Sequence, residues 1–146
     1  MNDPTAPATT PLHEQDETAW LEQTADQVAR RRFDEIHHEQ LSEYLADMAR
    51  RDRREVLSRL TVLLAHLLKW ERQPDRRSGS WEATILHQRQ ELQDLLESGT
   101  LRNHARDVLG KAYERAVKQA ALEMGVAEDA LPAACPWGLE EFAPEE

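Results

Sequence analysis

Histidine, tryptophan and arginine are concentrated in one stretch of the chain, between Leu60 and Arg89. Histidine can transfer a proton, arginine can bind a phosphate through paired hydrogen bonds, and tryptophan can stack on a base or a cation. Together such side chains could form a pocket for an anion or a nucleotide. The candidates that share faces of two adjoining predicted helices are His66, Trp70, Arg77, Trp81, Gln88 and Arg89.

The same residues are also compatible with two non-catalytic roles. His66 lies inside a leucine-rich run and Gln88 interrupts an apolar seam, so both could belong to a buried polar network with arginine that fixes the register of the helices. We favour this structural role for the residues themselves. In the second role they would line a groove between helices that binds a partner protein, and a non-enzymatic interaction or regulatory protein is the function we expect.

A nuclease site is a weaker hypothesis. Arg59 and His66 fit the loose R-x6-H spacing of the helical ribonucleases called HEPN domains, and Arg32 and His37 fit R-x4-H. There, histidine would act on a ribose hydroxyl while arginine stabilises charge on the phosphate. Two-residue patterns arise easily by chance in an arginine-rich chain. The alternative function is therefore a nucleotide- or RNA-handling enzyme, and its residues would be His66, Arg59, Arg77 and Arg89.

Metal and cofactor sites have little support. Adjacent side chains such as His37 and His38 do not share a helix face, and neither His66 nor His87 lies in an HxxxH or ExxH pattern. The chain has no glycine-rich phosphate loop. Its single cysteine, Cys135, cannot form an internal disulfide and lies in an acidic segment that disfavours the thiolate. We expect no cofactor and no metal.

The charge of the chain argues against a general nucleic-acid binder. Its 146 residues carry a formal net charge of -10, whereas affinity for nucleic acids comes mainly from neutralising phosphates. One local basic cluster consists of Arg50, Arg51, Arg53 and Arg54, and we expect it to be a solvated helix junction paired with nearby acids such as Asp47 and Glu55. The functional alternative is that it meets an acidic partner or the chain's own acidic C-terminus. With no signal-peptide pattern and no apolar run long enough to span a bilayer, we expect a cytoplasmic protein that has no membrane contact. A protein partner or a homo-oligomer remains open.

Hydrophobic periodicity predicts an all-α fold, a single-domain bundle of about five helices around a central helical hairpin. Two helices are expected before Asp52, one over about residues 16–31 and one that includes Ile36 to Met48. Three more are expected, over about 53–72, from the cap at Ser80 to Ser98-Gly99, and over about 101–124. Residues 1–15 are predicted to be a disordered arm, residues 16–131 the bundle, and residues 132–146 an irregular acidic lid. In the lid, Trp137, Leu139 and Phe142 are expected to contact the bundle.

The central helix and the helix ends have the clearest signals. At ~100° per residue, the apolar positions of 53–72 fill an arc of roughly 160°, so this helix should contact neighbours on two sides. Those positions are Val56, Leu57, Leu60, Leu63, Leu64, Leu67, Leu68 and Trp70. Asp52 and Glu55 have capping-box spacing, which predicts that a new helix begins there. Ser80 is expected to cap the next helix, Gly110 to allow a close contact, and Gly125 to end the last helix.

Several sequence blocks are shared with a known family. They are Trp20–Gln23, Arg32–Asp34, Leu63–Trp70, Gln73-Pro74, Arg77-Ser78, Ser80-Trp81, Thr84-Ile85, Gln88-Arg89, Ala112-Tyr113, Ala116, Glu123–Gly125 and Cys135–Trp137. On these residues the chain resembles the bacterial family catalogued as domain of unknown function twenty-nine, from about Trp20 to Phe142. His37-His38 departs from the family's usual residues, and in the last of these blocks Trp137 stands where the family usually has tyrosine. The resemblance implies a compact helical fold and no established activity.

Overall fold

The structure is a computed structural model that describes residues 10–145. Within that range the chain forms six α-helices, four of them long, and no strand, so the predicted all-α fold is confirmed. The helices are α1 (Leu12–Gln15), α2 (Glu17–Ala29), α3 (His38–Arg72), α4 (Gly79–Leu95), α5 (Gly99–Met124) and α6 (Leu139–Phe142). Single 3₁₀ turns occupy Phe33–Glu35, Pro74–Arg76 and Glu128–Ala130. Judged by length and apolar character, none of these helices could cross a membrane.

The chain divides into two compact units, and the boundary between Ala46 and Asp47 lies inside α3. The sequence predicts boundaries after residues 15 and 131 instead. In the first unit, Trp20 of α2 is buried, and its ring centroid lies 5.8 Å from that of His13 and 5.9 Å from that of Tyr44. Aromatic packing therefore connects α1, α2 and the beginning of α3 within this unit.

The predicted disordered arm is wrong where α1 forms. Residues 1–9 lie outside the described part of the chain, but Leu12–Gln15 is helical because the carbonyl of Pro11 accepts the backbone N–H groups of Glu14 and Gln15. Asp16 then caps α2 by accepting the N–H of Ala19 at 3.0 Å. The proline-rich composition therefore does not indicate this helical turn, which the contact between the His13 and Trp20 rings stabilises.

The predicted helix start at Asp52 is also wrong, because α3 continues without a break from His38 to Arg72. No glycine or proline interrupts this segment. The Glu55 side chain accepts from Arg59 Nε at 2.8 Å, one turn further along the helix, instead of turning back to cap Asp52. An i, i+3 acidic spacing fits a capping box and the exposed face of a continuous helix equally well.

Apolar side chains of α3, α4, α5 and the C-terminal segment form one buried cluster in the second unit. Five of the predicted positions on α3 are at most 1% exposed: Val56, Leu60, Leu63, Leu64 and Leu68. The other three, Leu57, Leu67 and Trp70, are half-buried. Against them α4 and its end place Leu92 and Leu96, and α5 places a row of small residues, Ala105, Ala112, Ala116 and Ala120. Small side chains therefore make up much of the contribution of α5 to the buried cluster.

Serine and glycine set the ends of α4 and α5. Ser78, not Ser80, caps α4 by accepting the N–H of Trp81 at 3.2 Å, and Ser98 caps α5. Gly125 ends α5 with a left-handed φ of 69°, as predicted. The close contact predicted at Gly110 is wrong, since a Cβ there would meet open space.

The C-terminal segment crosses the buried cluster of the second unit as an irregular chain that ends in α6. Leu131, Leu139 and Phe142 are buried, and Trp137 is half-buried against the cluster. The Tyr113 hydroxyl donates to the carbonyl of Pro132 at 2.6 Å and anchors the beginning of the segment to α5.

Candidate functional site

The turn between α3 and α4 uses two of the candidate residues, Trp70 and Arg77, for its own structure. Arg77 Nε donates to the carbonyl of Trp70 at 2.8 Å, and the guanidinium carbon lies 4.7 Å from the centroid of the Trp70 ring. Because Trp70 lies in the last turn of α3, its carbonyl lacks a partner within the helix. Arg77 therefore caps α3 and stacks on its last tryptophan.

Trp81, at the start of α4, contacts a lysine that the sequence does not single out. Lys69 Nζ lies 5.2 Å from the centroid of the Trp81 ring and 2.7 Å from Glu123 Oε2 of α5. Lys69 is only 7% exposed, so its charge requires this partner. Hydrogen bonding from Lys69 lowers the pKa of Glu123, against an opposing contribution from burial. The leucine-rich run of α3 thus includes a lysine, Lys69, that forms an ion pair with Glu123 of α5.

His66 is bonded within its own helix. Its Nδ1 lies 2.9 Å from the carbonyl oxygen of Val62, which can only accept, so Nδ1 carries the proton. The ring is half-buried at the edge of the apolar face of α3. No hydrogen bond joins His66 to another candidate residue among those described. His66 is therefore bonded to its own helix at the edge of the core, as expected of a structural histidine.

Gln88 belongs to a polar network centred on Arg59. Arg59 Nη1 donates to Gln88 Oε1 at 3.1 Å, its Nε donates to Glu55 Oε1 at 2.8 Å, and Nη2 lies 3.6 Å from Glu91 Oε2. The network joins α3 to α4 and contains the glutamine and an arginine of the predicted network, but His66 is not part of it and Glu55 and Glu91 are. Arg59 is held on three sides before any ligand is bound.

This network forms one wall of a surface groove of about 500 Å³ in the second unit. Besides Arg59, Glu55 and Gln88, the groove is lined by Arg51, Arg54, Ser58 and Val62. Within the described range, neither Arg51 nor Arg54 has a carboxylate within 4.0 Å. The groove thus combines a braced arginine with two arginines whose charges are not neutralised by an ion pair.

Arg89 contacts the C-terminal segment, where it donates from Nη2 to the carbonyl of Glu141 at 2.9 Å. Gln93 donates to the carbonyl of Phe142 at 3.5 Å. Arg102 donates to the carbonyls of Ala143 and Pro144 at 2.8 and 3.3 Å, and also to that of Leu96 at 3.3 Å. Side chains of α4 and α5 therefore satisfy four consecutive carbonyls at the end of α6.

The six candidates thus do not form one site. Trp70, Arg77 and Trp81 lie at the turn and Gln88 lies in the groove, whereas Arg89 holds the C-terminal segment and His66 bonds within α3. Sequence reasoning missed Arg102. The sequence could have indicated its burial, because Arg102 lies three residues before Ala105 and therefore on the buried face of α5.

Comparison with known families accounts for nearly the whole chain. The model of the family described as domain of unknown function DUF29 matches residues 12–146. The chain belongs to the DUF29 family. Comparison with curated proteins and with solved structures finds no match. DUF29 membership confirms the resemblance seen in the sequence and is consistent with the helical fold, but the family's description names no activity.

Residues that could hold a metal or act as a nucleophile are not assembled in the part of this DUF29 chain that the structure describes. Within residues 10–145, His, Cys, Asp and Glu side chains form no group of three or more that could hold a metal ion. Cys135 Sγ lies 3.3 Å from the carbonyl of Trp137, to which the thiol donates, and burial raises the pKa of the thiol. A raised pKa disfavours the reactive thiolate.

Proposed function

We propose that this DUF29 protein is a non-enzymatic binding protein and that a partner protein docks in the groove between α3 and α4. The observation that carries the proposal is that the braced Arg59 network lines the same groove as Arg51 and Arg54. Among residues 10–145, no carboxylate lies within 4.0 Å of either of those two arginines. Arg51 and Arg54 are therefore available for an intermolecular contact without breaking an existing ion pair.

The braced wall favours binding because association is weakened by the ordering of flexible side chains. Immobilising one such side chain costs roughly 0.5–1.5 kcal/mol. Arg59 is already held by Glu55, Gln88 and Glu91. Its side chain is therefore ordered when the protein folds and loses little further entropy when a partner binds. The groove therefore presents a preformed edge beside adaptable arginines.

The alternative, an enzyme that uses His66 with Arg59, Arg77 and Arg89, draws no support from the geometry. Arg77 caps α3, Arg89 holds the C-terminal segment, and His66 bonds to its own backbone. General acid–base catalysis requires its groups to lie within hydrogen-bonding reach of one reacting centre. These side chains are engaged at separate places in the second unit.

Site-specific crosslinking in living cells tests the proposal. A photo-crosslinking amino acid is placed at Ser58, an exposed lining residue of the groove, and separately at Asp107, an exposed residue of α5 that does not line it. The expected result is a discrete partner that crosslinks at position 58 and not at position 107, and whose binding is reproduced with purified proteins.

Two second-site changes sharpen the test. Arg54→Glu should abolish the crosslink at position 58, whereas His66→Ala should leave it intact, because His66 does not line the groove. Identical crosslinking profiles from positions 58 and 107 would refute the proposal. Loss of the crosslink in His66→Ala, with folding preserved, would move the site to the histidine.

A further inference from the structure

The charges along the groove indicate what kind of protein segment it receives. We propose that the docking segment is an extended, acidic stretch of about five residues, aspartate or glutamate except for an apolar residue at one end; this inference rests on the proposed function. The lining residues include three arginines and one glutamate. This local excess of positive charge lies on a chain whose net charge is -10, so it is a feature of the groove and not of the surface in general.

The arginines are available to an incoming carboxylate to different degrees. Arg59 is already paired with Glu55 and Glu91 at 2.8 and 3.6 Å, so it contributes a fixed wall of the groove and not a free charge. Arg51 and Arg54 are exposed and have no carboxylate within 4.0 Å among residues 10–145. Arginine binds carboxylates through two parallel hydrogen bonds. An acidic segment would therefore contact chiefly Arg51 and Arg54.

The spacing of the lining residues sets the length of the segment. Arg51, Arg54, Ser58 and Val62 follow one another at intervals of three, four and four residues and so lie on one face of α3. At 1.5 Å per residue they cover about 16 Å of the helix. An extended chain advances ~3.3 Å per residue, so about five residues match that length.

The two ends of the groove differ, which gives the segment a direction. Arg51 and Arg54 lie toward the start of the row, and the half-buried Val62 lies at its other end. An apolar side chain at one end of the segment would contact Val62 while its carboxylates meet the arginines. The Ser58 hydroxyl between them can donate a further hydrogen bond.

The chain's own acidic C-terminus is engaged elsewhere. Glu140 and Glu145 form ion pairs with Arg106 of α5 at 3.6 and 3.1 Å, and the carbonyl of Glu141 accepts from Arg89. Through residue 145, the segment is thus matched to arginines outside the groove. The acidic occupant that the groove fits is a segment of another protein.

Peptide binding followed by NMR tests this inference on the full chain. The probe is a capped pentapeptide of four glutamates followed by leucine, and its control replaces the glutamates with glutamine. We expect the glutamate peptide to shift the backbone signals of residues 51–62 and to bind more weakly as sodium chloride rises, since salt screens exposed charges. The glutamine peptide should leave those signals unchanged.

A matched pair of variants locates the binding. The double change Arg51→Glu with Arg54→Glu should weaken the glutamate peptide by about tenfold, as expected when exposed ion pairs are lost and repulsion replaces them. The control, Arg50→Glu with Arg53→Glu, alters the net charge equally on exposed positions that do not line the groove, and should leave affinity within about twofold. Arg51→Gln with Arg54→Gln repeats the test without reversed charge.

Several outcomes overturn the inference. One is equal loss of affinity in both double variants, because it would reduce the effect to net charge. Another is binding of an oligouridylate at the groove as tightly as the peptide, because the site would then prefer phosphate polyanions. If the glutamate peptide fails to bind while crosslinking at position 58 still finds a partner, the acidic class is wrong and the proposed function stands.

Discussion

Replacing Arg102 with alanine should lower the free energy of unfolding by releasing the end of the C-terminal segment. The guanidinium is part of a residue only 8% exposed, and it donates to the carbonyls of Leu96, Ala143 and Pro144. It therefore connects the end of α4, the first turns of α5 and the chain beyond α6. No other side chain in the described range donates to carbonyls of both α4's end and this segment.

The magnitude follows from which carbonyls can regain water. Pro144 is exposed and its carbonyl can be hydrated after the change, whereas Ala143 and Leu96 are 0% and 1% exposed. A buried acceptor left without a partner costs about 1–3 kcal/mol. With partial relaxation of the segment, we expect Arg102→Ala to lower the free energy of unfolding by about 2–4 kcal/mol. That is a large part of the ~5–15 kcal/mol typical of a folded domain.

Denaturant unfolding measures this loss, and hydrogen exchange locates it. Arg106→Ala is the control, because its pairs with Glu140 and Glu145 are exposed ion pairs worth about 0–1 kcal/mol. The loss of unfolding free energy in Arg102→Lys should lie between the losses in Arg102→Ala and Arg106→Ala. One ammonium group cannot donate to all three carbonyls as the forked guanidinium of arginine does. Exchange should accelerate in residues 139–145 of Arg102→Ala. A loss no greater than that of Arg106→Ala would refute the reasoning.

Two further predictions concern an ion pair and two glycines. Because the pKa of Glu123 is lowered in the folded protein, its pair with Lys69 should stabilise the protein above about pH 4.3, the ordinary glutamate value, and this contribution should be lost as the pH falls through the lowered value. The difference in unfolding free energy between wild type and Glu123→Gln should therefore shrink in acid; a difference that stays constant with pH would contradict this. Gly125→Ala should destabilise by about 1–2 kcal/mol, because φ is 69° there. Gly110→Ala should stabilise the protein by about 1 kcal/mol, because the new methyl group lies in open space within α5. Thermal unfolding measures both glycine variants, and a higher melting temperature for Gly125→Ala than for Gly110→Ala would contradict the backbone argument.

The sequence predicts the interior of α3 well because one physical signal dominates there. Burial of apolar side chains on one helical face sets the positions of Val56, Leu60 and Leu64, and that periodicity is visible in the sequence alone. The end of α5 at Gly125 is equally local, since few residues other than glycine adopt its positive φ easily. Signals of this kind depend only on neighbours in the chain.

The errors arise where a local pattern has two physical meanings. Asp52 and Glu55 fit a capping box, but no glycine or proline breaks the helix there, and the Glu55 side chain pairs with Arg59 one turn further along instead of capping. Likewise, both Ser78 and Ser80 are suitable caps, and the backbone geometry after the 3₁₀ turn at Pro74–Arg76 decides for Ser78. These outcomes depend on side-chain geometry that spacing does not specify.

The sequence over-predicts the candidate site because the density of arginine does not reveal what each arginine contacts. Arg77 is used to cap a helix, and Arg89 and Arg102 are used to hold a segment some 40 to 50 residues away along the chain. The proposed function therefore rests on two arginines that have no such internal contact among residues 10–145 and that line the groove, Arg51 and Arg54. Under that proposal they bind the partner and His66 does not, although neither is among the six residues that the sequence favours as a site. A positive charge that the described chain leaves without an acidic partner, beside a wall that the chain has already braced, is the part of this surface best suited to an external carboxylate.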